Sequence, residues 1–147
     1  RARRVDLSVG NSVINACAKA GEWVQASACL AEMRECLMRP NVFSYNAAIS
    51  ACSRDAQWRH ALVLLREAWQ HIVEPNLISY NSAMHSVDRG RQWPLALGLL
   101  RSMWQQGIGP DVVTFNTAIS ICGHSSEWRL ALHLLGEAVA LQSVTPN

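Results

Sequence analysis

The sequence lacks the long apolar runs and the targeting signals that would place it in or near a membrane. No apolar stretch among the 147 residues reaches the roughly 18 residues that a membrane-spanning helix needs. The basic start, residues 1–6, is followed by no apolar segment, and the chain has no initiator Met. We therefore expect a piece of a longer protein that does not enter a membrane.

Paired cysteines and catalytic motifs are also missing. The five cysteines are an odd number without a C-x-x-C pair, which favours free thiols in a reducing compartment. Zinc sites need clustered ligands that this spacing does not supply, so we expect no metal and no other cofactor. The chain has no paired carboxylates in register, no Ser-His-Asp order and no phosphate-cradling glycine loop, and we therefore expect that it is not an enzyme.

Charge is scarce as well, because only 16% of the residues are charged and the net charge is +2. A value this small does not by itself indicate a polyanionic partner. The positions of the basic residues are therefore more informative than their number.

What the sequence does contain is an internal repeat with a period of 35 residues. The stretch at 41–52 returns at 76–87 and again at 111–122. Tryptophans mark the same period at Trp23, Trp58, Trp93 and Trp128. Prolines close the first three units at Pro40, Pro75 and Pro110, whereas Pro146 comes one residue late. A period of this length is typical of a solenoid built from stacked units.

Each unit has the pattern of two helices joined by a short turn. Apolar residues recur at helical spacing in the second unit at Tyr45, Ala48, Ile49 and Cys52, and after a break at Trp58, Ala61, Leu62 and Leu65. The Pro-Asn or Pro-Asp pairs separate the units, because Pro blocks the preceding helix and Asn or Asp caps the next one. Two short helices cannot bury their apolar faces alone, so we predict an all-α solenoid of stacked antiparallel helix pairs.

These units resemble the pentatricopeptide repeat family. The resemblance rests on the pattern V-x-[ST]-[YF]-N, a basic residue eight positions after the Asn and a closing P-[ND], and it is weakest in the first unit, where Gly10 replaces the aromatic residue. It implies a right-handed α-solenoid with the tail of a preceding repeat at 1–6 and repeats at 7–41, 42–76, 77–111 and 112–147. It also implies a single-stranded RNA partner, read one base per repeat, in a mitochondrion or chloroplast.

Two polar columns are the expected base readers. They are Asn11, Asn46, Asn81 and Asn116 in the first helices, and Asn41, Asn76, Asp111 and Asn147 at the ends of the units. An Asn in the first turn of a helix is a poor helix former, so its recurrence indicates a partner, although it could also satisfy backbone groups. By the family's pairing logic, Asn with Asn resembles a cytidine reader and Asn with Asp a uridine reader, which gives a pyrimidine-rich preference, C-C-U-C. The closing residues can also act as helix caps.

Two further columns complete the expected RNA surface. The family places base-wedging residues at Phe43, Ile78 and Val113, where Ser8 stands in the first unit, although apolar residues at such positions also suit a core. The expected phosphate contacts are Lys19, Arg54, Arg89 and His124. Basic residues near a helix C-terminus are also favoured by the helix dipole, which is the alternative explanation. The tryptophans fit core positions better than base-stacking positions.

Three functions therefore remain at this point. The first is sequence-specific single-stranded RNA binding in organellar RNA processing or expression, within a longer array with flanking repeats. The second is a protein-binding scaffold of the tetratricopeptide type, but those units run about 34 residues and open with a Trp-x-x-Leu-Gly pattern that is absent here. The third is the guide portion of a larger RNA-processing enzyme.

Overall fold

The computed structural model describes residues 6–144, and the side chains of residues 6–141. Over this range the chain forms eight α-helices and no strand. The helices are α1 (Leu7–Ala20), α2 (Trp23–Glu35), α3 (Val42–Arg54), α4 (Trp58–Gln70), α5 (Leu77–Arg89), α6 (Trp93–Gln105), α7 (Val112–His124) and α8 (Trp128–Val144). The all-α solenoid of stacked helix pairs is confirmed.

The helices form two layers. The first helices of the units, α1, α3, α5 and α7, lie side by side, and each touches the next. The second helices α2, α4 and α6 each pack against the first helix of their own unit and against that of the following unit, while α8 packs against α7. The apolar core therefore runs continuously between the layers, and each unit completes the core of its neighbour.

The core combines large and very small side chains. Tyr45 and Tyr80 are 1% exposed, whereas Ala26, Ala61 and Ala96 in the second helices are completely buried. Alanine at those three positions lets the helices approach closely. In α1, where Gly10 replaces the aromatic residue, Met33 fills the space, because a Cβ on Gly10 would lie 2.7 Å from the Met33 sulfur.

Each first helix begins at a side-chain cap. Asn41, Asn76 and Asp111 cap α3, α5 and α7, and each forms a reciprocal capping box with the Ser or Thr three residues later. Asp6 caps α1 by accepting the Val9 N–H. The second helices α2, α4 and α6 have no side-chain cap. The capping side chains therefore fix where each first helix begins, and these helices carry the polar columns.

Left-handed residues end the first helices and start the turns within each unit. They are Gly21, Ala56, Arg91 and Ser126, and all have positive φ. The backbone N–H of the following residue then closes the helix, as in the 2.9 Å bond from Glu22 to the Cys17 carbonyl. Only the first of the four turns uses Gly, so three turns tolerate a less favourable residue at this position.

The tryptophan column mostly packs as a core column would. Trp23, Trp58 and Trp93 open α2, α4 and α6 and pack partly buried against the core. Trp128 is 60% exposed, because among the described residues no helix covers that side of α8. In addition, α8 has 17 residues where α2, α4 and α6 have 13 each, and it continues past the point at which they end.

Neither a membrane span nor a metal cluster is found within residues 6–144. None of the helices described there is long and apolar enough to cross a membrane. No group of three or more His, Cys, Asp or Glu residues in this part of the chain could hold a metal ion.

Candidate nucleic-acid interface

An open groove of about 940 Å³ runs across the first helices. It is lined mainly by small and polar side chains together with three larger apolar ones, and its lining includes Asn11, Asn15, Phe43, Asn46, Ser50 and Ile78. The groove thus brings together members of the Asn column and of the expected wedge column from three successive units. Sequence analysis did not single out Asn15 or Ser50.

The two columns of expected base readers contact each other through hydrogen bonds. At the junction of the second and third units, Asn46 donates from Nδ2 to Oδ1 of Asn76 at 3.2 Å. The Ser79 hydroxyl donates to Oδ1 of Asn46 at 2.5 Å, and the Ser79 backbone N–H donates to Oδ1 of Asn76 at 3.2 Å. We refer to this arrangement, with its equivalents at the other junctions, as the Asn–cap relay.

The relay recurs at the junctions on either side. At the first junction, Asn11 donates to Asn41 at 3.4 Å, and the Ser44 hydroxyl donates to Oδ1 of Asn11 at 2.5 Å. At the third junction, Asn81 donates to Oδ1 of Asp111 at 3.3 Å and accepts from the Thr114 hydroxyl at 2.6 Å. The relay therefore pairs residues 30 positions apart, and the same residues were paired from the sequence as readers of one base.

The relay uses one side-chain oxygen of each capping residue and leaves the other polar atom unused. Oδ1 of Asn41, Asn76 and Asp111 accepts the capping N–H in each case. Within residues 6–144, Nδ2 of Asn41, Nδ2 of Asn76 and Oδ2 of Asp111 have no hydrogen-bond partner. Because the backbone donor fixes which atom faces the helix, the first two junctions each present a free donor and the third presents a free acceptor.

The Asp111 carboxyl group remains charged in this setting. Burial alone would raise its pKa, but the backbone N–H and hydroxyl of Thr114 and the Asn81 amide donate hydrogen bonds to it and together lower the pKa below its usual value. Its free oxygen is therefore a strong hydrogen-bond acceptor at neutral pH.

The expected wedge residues lie on the surface. Phe43, Ile78 and Val113 are 67%, 59% and 47% exposed. Exposure this large rules out the alternative that they form core packing. Phe43 and Ile78 line the groove beside Asn46, so flat apolar ligand surfaces can reach them.

The basic column faces solvent, and its two arginines also cap the ends of neighbouring helices. The Arg54 guanidinium donates to the backbone carbonyl of Lys19, and that of Arg89 donates to the Arg54 carbonyl at 2.8 Å. Each arginine thus caps the last turn of the preceding first helix, where the dipole favours a cation. His124 instead pairs with Asp88 at 3.2 Å. Lys19 is exposed and has no such contact among the described residues.

Sequence analysis missed the hydroxyl residues and the arginine bonds that join the units. Ser44, Ser79 and Thr114 are buried and bridge the two Asn columns. A Ser or Thr three residues after an N-cap could have suggested the capping box, but not the bond to the preceding unit. Asn116 is exposed, and Asn147, its expected partner, lies outside the described residues.

Family comparisons give one consistent result. Residues 6–54 match the model of the PPR repeat family, residues 63–125 that of the pentatricopeptide repeat domain, and residues 43–71 and 113–141 that of the PPR repeat. Comparison with curated proteins finds none that matches.

Solved structures agree with the family models. The pentatricopeptide repeat protein PPR10 from maize superposes with a TM-score of 0.83 at 20% identity, over 97% of this chain and 20% of that one. PPR10 in complex with an 18-nt psaJ RNA element gives 0.81 at 26% identity, over 92% of this chain and 20% of that one. The PPR domain of Arabidopsis thaliana protein-only RNase P 1, in complex with tRNA, gives 0.75 at 16% identity, over 86% of this chain and 67% of that one.

The chain spans only about one fifth of the PPR10 chain that it matches. Taken together, the matching models cover all four of its helix pairs. The 35-residue period, the stacked helix pairs and these matches lead to the same assignment. The chain belongs to the pentatricopeptide repeat family.

Proposed function

We propose that this chain binds single-stranded RNA in a sequence-specific way, with one unit for each base, in the processing or expression of organellar RNA. The observation that carries the proposal is the Asn–cap relay, which leaves one unused hydrogen-bonding atom at each described junction. PPR10, which is 26% identical to this chain, is known in complex with a psaJ RNA element. We propose a binding role for the chain, with any catalysis belonging to other parts of a larger protein.

The proposed base order follows from the chemistry of the unused atoms. The free amide N–H groups of Asn41 and Asn76 suit N3 of cytosine, which is an acceptor. The free Asp111 oxygen suits uracil, whose N3–H is a donor. Together with the pair of Asn116 and Asn147, this gives C-C-U-C along the units. Phe43, Ile78 and Val113 are proposed to contact the faces of the bases, which their exposure permits.

Direct titration with RNA tests the proposal. The chain is mixed with a fluorescent oligonucleotide that carries C-C-U-C in an adenosine background, and with one of adenosine only. Four bases at roughly 1 to 2 kcal/mol each barely offset the cost of association, so binding at about micromolar affinity or weaker is expected for the pyrimidine RNA. Equal affinity for the two RNAs would exclude the base order, and no binding to either at millimolar protein would exclude the function.

The salt dependence of the same titration tests the basic column. Replacement of Lys19, Arg54 and Arg89 by Ala should make the affinity less dependent on salt without altering the base preference, because phosphate contacts carry no sequence information. A control triple variant with Arg59→Ala, Arg66→Ala and Arg101→Ala removes the same charge from the exposed surface of α4 and α6. If both variants change the salt slope equally, the basic column makes no special contact with phosphate.

A further inference from the structure

A second polar column runs along the first helices, one turn beyond the Asn column. It consists of Asn15, Ser50, His85 and Ser120, which stand four residues after the Asn column. Within residues 6–144 none of these four side chains makes a hydrogen bond or ion pair. In the neighbouring columns, by contrast, Asn11, Asn46 and Asn81 take part in the Asn–cap relay. Arg54 and Arg89 cap helix ends. Asn15 and Ser50 also line the groove beside Asn11 and Asn46.

This column lies between the proposed base readers and the proposed phosphate contacts. Along an α-helix, four residues rise about 6 Å and eight residues about 12 Å. The unpartnered column is therefore one turn beyond the Asn column and one turn before the basic column, for example at His85 between Asn81 and Arg89. In a nucleotide the ribose joins the base to the phosphate, so a strand bound at both outer columns carries its sugars past the middle one.

The chemistry of the column matches a sugar hydroxyl better than a phosphate. An amide, a serine hydroxyl and a neutral imidazole can each both donate and accept a hydrogen bond. The ribose 2′-hydroxyl has the same double capacity, and it is the group by which a protein distinguishes RNA from DNA. Phosphates are matched instead by the cations one turn further along.

We propose that Asn15, Ser50, His85 and Ser120 contact the ribose 2′-hydroxyls of bound RNA and provide the preference of the chain for RNA over DNA. This inference rests on the proposed function. It assigns to the groove a sugar-reading column in addition to the base-reading pairs, and it predicts that sugar selection and base selection are separable by mutation.

The experiment compares RNA with DNA of the same bases, with deoxyuridine in place of uridine. The test variant carries Asn15→Ala, Ser50→Ala, His85→Ala and Ser120→Ala. The control variant carries Gln25→Ala, Gln70→Ala, Gln105→Ala and His133→Ala, which removes exposed polar groups of the second helices. Circular dichroism melts establish that both variants fold like the native chain, and fluorescence anisotropy gives each dissociation constant.

We expect the native chain and the control to bind RNA at least about tenfold more tightly than DNA, since several modest hydrogen bonds add together. In the test variant the ratio of RNA affinity to DNA affinity should fall to about one, because the affinity for RNA decreases. Affinity for DNA and the salt slope should remain as in the native chain. His85→Ala alone should lower the ratio by about threefold.

Different results separate this inference from the proposed function. Binding to neither nucleic acid would remove both. Sequence-specific binding of RNA and DNA with equal affinity by the native chain would refute the sugar-reading column and leave the function standing. The same holds if the test variant loses affinity for RNA and DNA in equal measure, or if its salt slope falls, because either result would assign the column to phosphate or to general packing.

Discussion

Exchanging Asp111 for Asn should change one atom of the Asn–cap relay and leave the cap in place. In the native chain, Oδ1 of Asp111 accepts the Thr114 N–H at 2.9 Å and the Asn81 amide at 3.3 Å. It shares the Thr114 hydroxyl proton, at 2.8 Å, with Oδ1 of Asn81. An Asn at this position must offer its oxygen to the same backbone N–H, as Asn76 does one unit earlier. Its amide nitrogen then takes the place of Oδ2, and a free acceptor becomes a free donor.

The expected effect on recognition follows from that single atom. A net hydrogen bond in water is worth about 1 kcal/mol, which corresponds to about fivefold in affinity. Uracil loses an acceptor for its N3–H, and cytosine gains a donor for N3, so the ratio of U to C affinity at this base should fall by at least about fivefold. Removal of a negative charge also strengthens binding to any RNA, and therefore the ratio, not the affinity, is the quantity to measure.

The assay is a fluorescence anisotropy competition between two RNAs that differ only at the base facing the third unit. Asn76→Asp is the reciprocal control, since it gives the second unit the native pair of the third and should shift preference there from C towards U. Asn and Asp are about equally good caps, so neither variant should melt differently from the native chain. Unchanged base ratios in both variants would refute the reasoning and leave these residues as helix caps only.

Asp111→Ala separates capping from reading. It removes the acceptor for the Thr114 N–H, which typically costs about 1 kcal/mol of folding stability and should lower Tm by about 2 to 4 °C. The variant should also lose the distinction between U and C at its base. A melt unchanged from the native chain would show that the capping bond adds nothing to stability.

Three further predictions concern packing and reactivity. Gly90→Ala should lower the free energy of unfolding by about 1 to 3 kcal/mol, because the added Cβ would lie 2.2 Å from Cδ1 of Trp58. Gly98→Ala meets no atom within 4 Å and should be neutral or stabilising. Chemical denaturation compares the two variants, and equal effects would contradict the close packing at Gly90. Burial raises the pKa of Cys52 to about 12, so iodoacetamide at pH 8 should label the exposed Cys36 and leave Cys52 unlabelled in the folded chain. Peptide mass spectrometry measures the labelling of each cysteine, and equal labelling would contradict this burial. A further helix pair joined after α8 should raise the free energy of unfolding by several kcal/mol, because it would cover the apolar face of α8, which is about half exposed. An unchanged denaturation midpoint would show that the added pair does not pack against this face.

The solenoid was readable from the sequence because its signals are local and are repeated several times. Helical spacing, Pro at the unit boundaries and an Asn or Asp cap each depend on a few neighbouring residues. The repetition of these signals at a 35-residue period makes each one more reliable. The residue types of the two Asn columns were visible for the same reason.

The contacts between units were not readable, because they depend on how far one helix is shifted against the next. Nothing local to Ser79 indicates that its hydroxyl reaches back to Asn46, and nothing local to Arg89 indicates that its guanidinium reaches the Arg54 carbonyl. Turn chemistry was also only partly readable. Arg91 adopts positive φ where Gly would be the expected choice, because the tertiary arrangement fixes the turn.

The two polar atoms of each capping side chain have different roles, and this explains how stability and recognition can vary independently in such a chain. Asn and Asp share the oxygen that caps the helix and accepts from the preceding Asn, as the bonds of Asn46 to Asn76 and of Asn81 to Asp111 show. They differ only in the second polar atom, which the fold does not use. A substitution between them is therefore close to neutral for folding and changes a donor into an acceptor at the surface. Because each junction contains its own copy of this arrangement, the proposed base preference can change in one unit without disturbing the packing of the next.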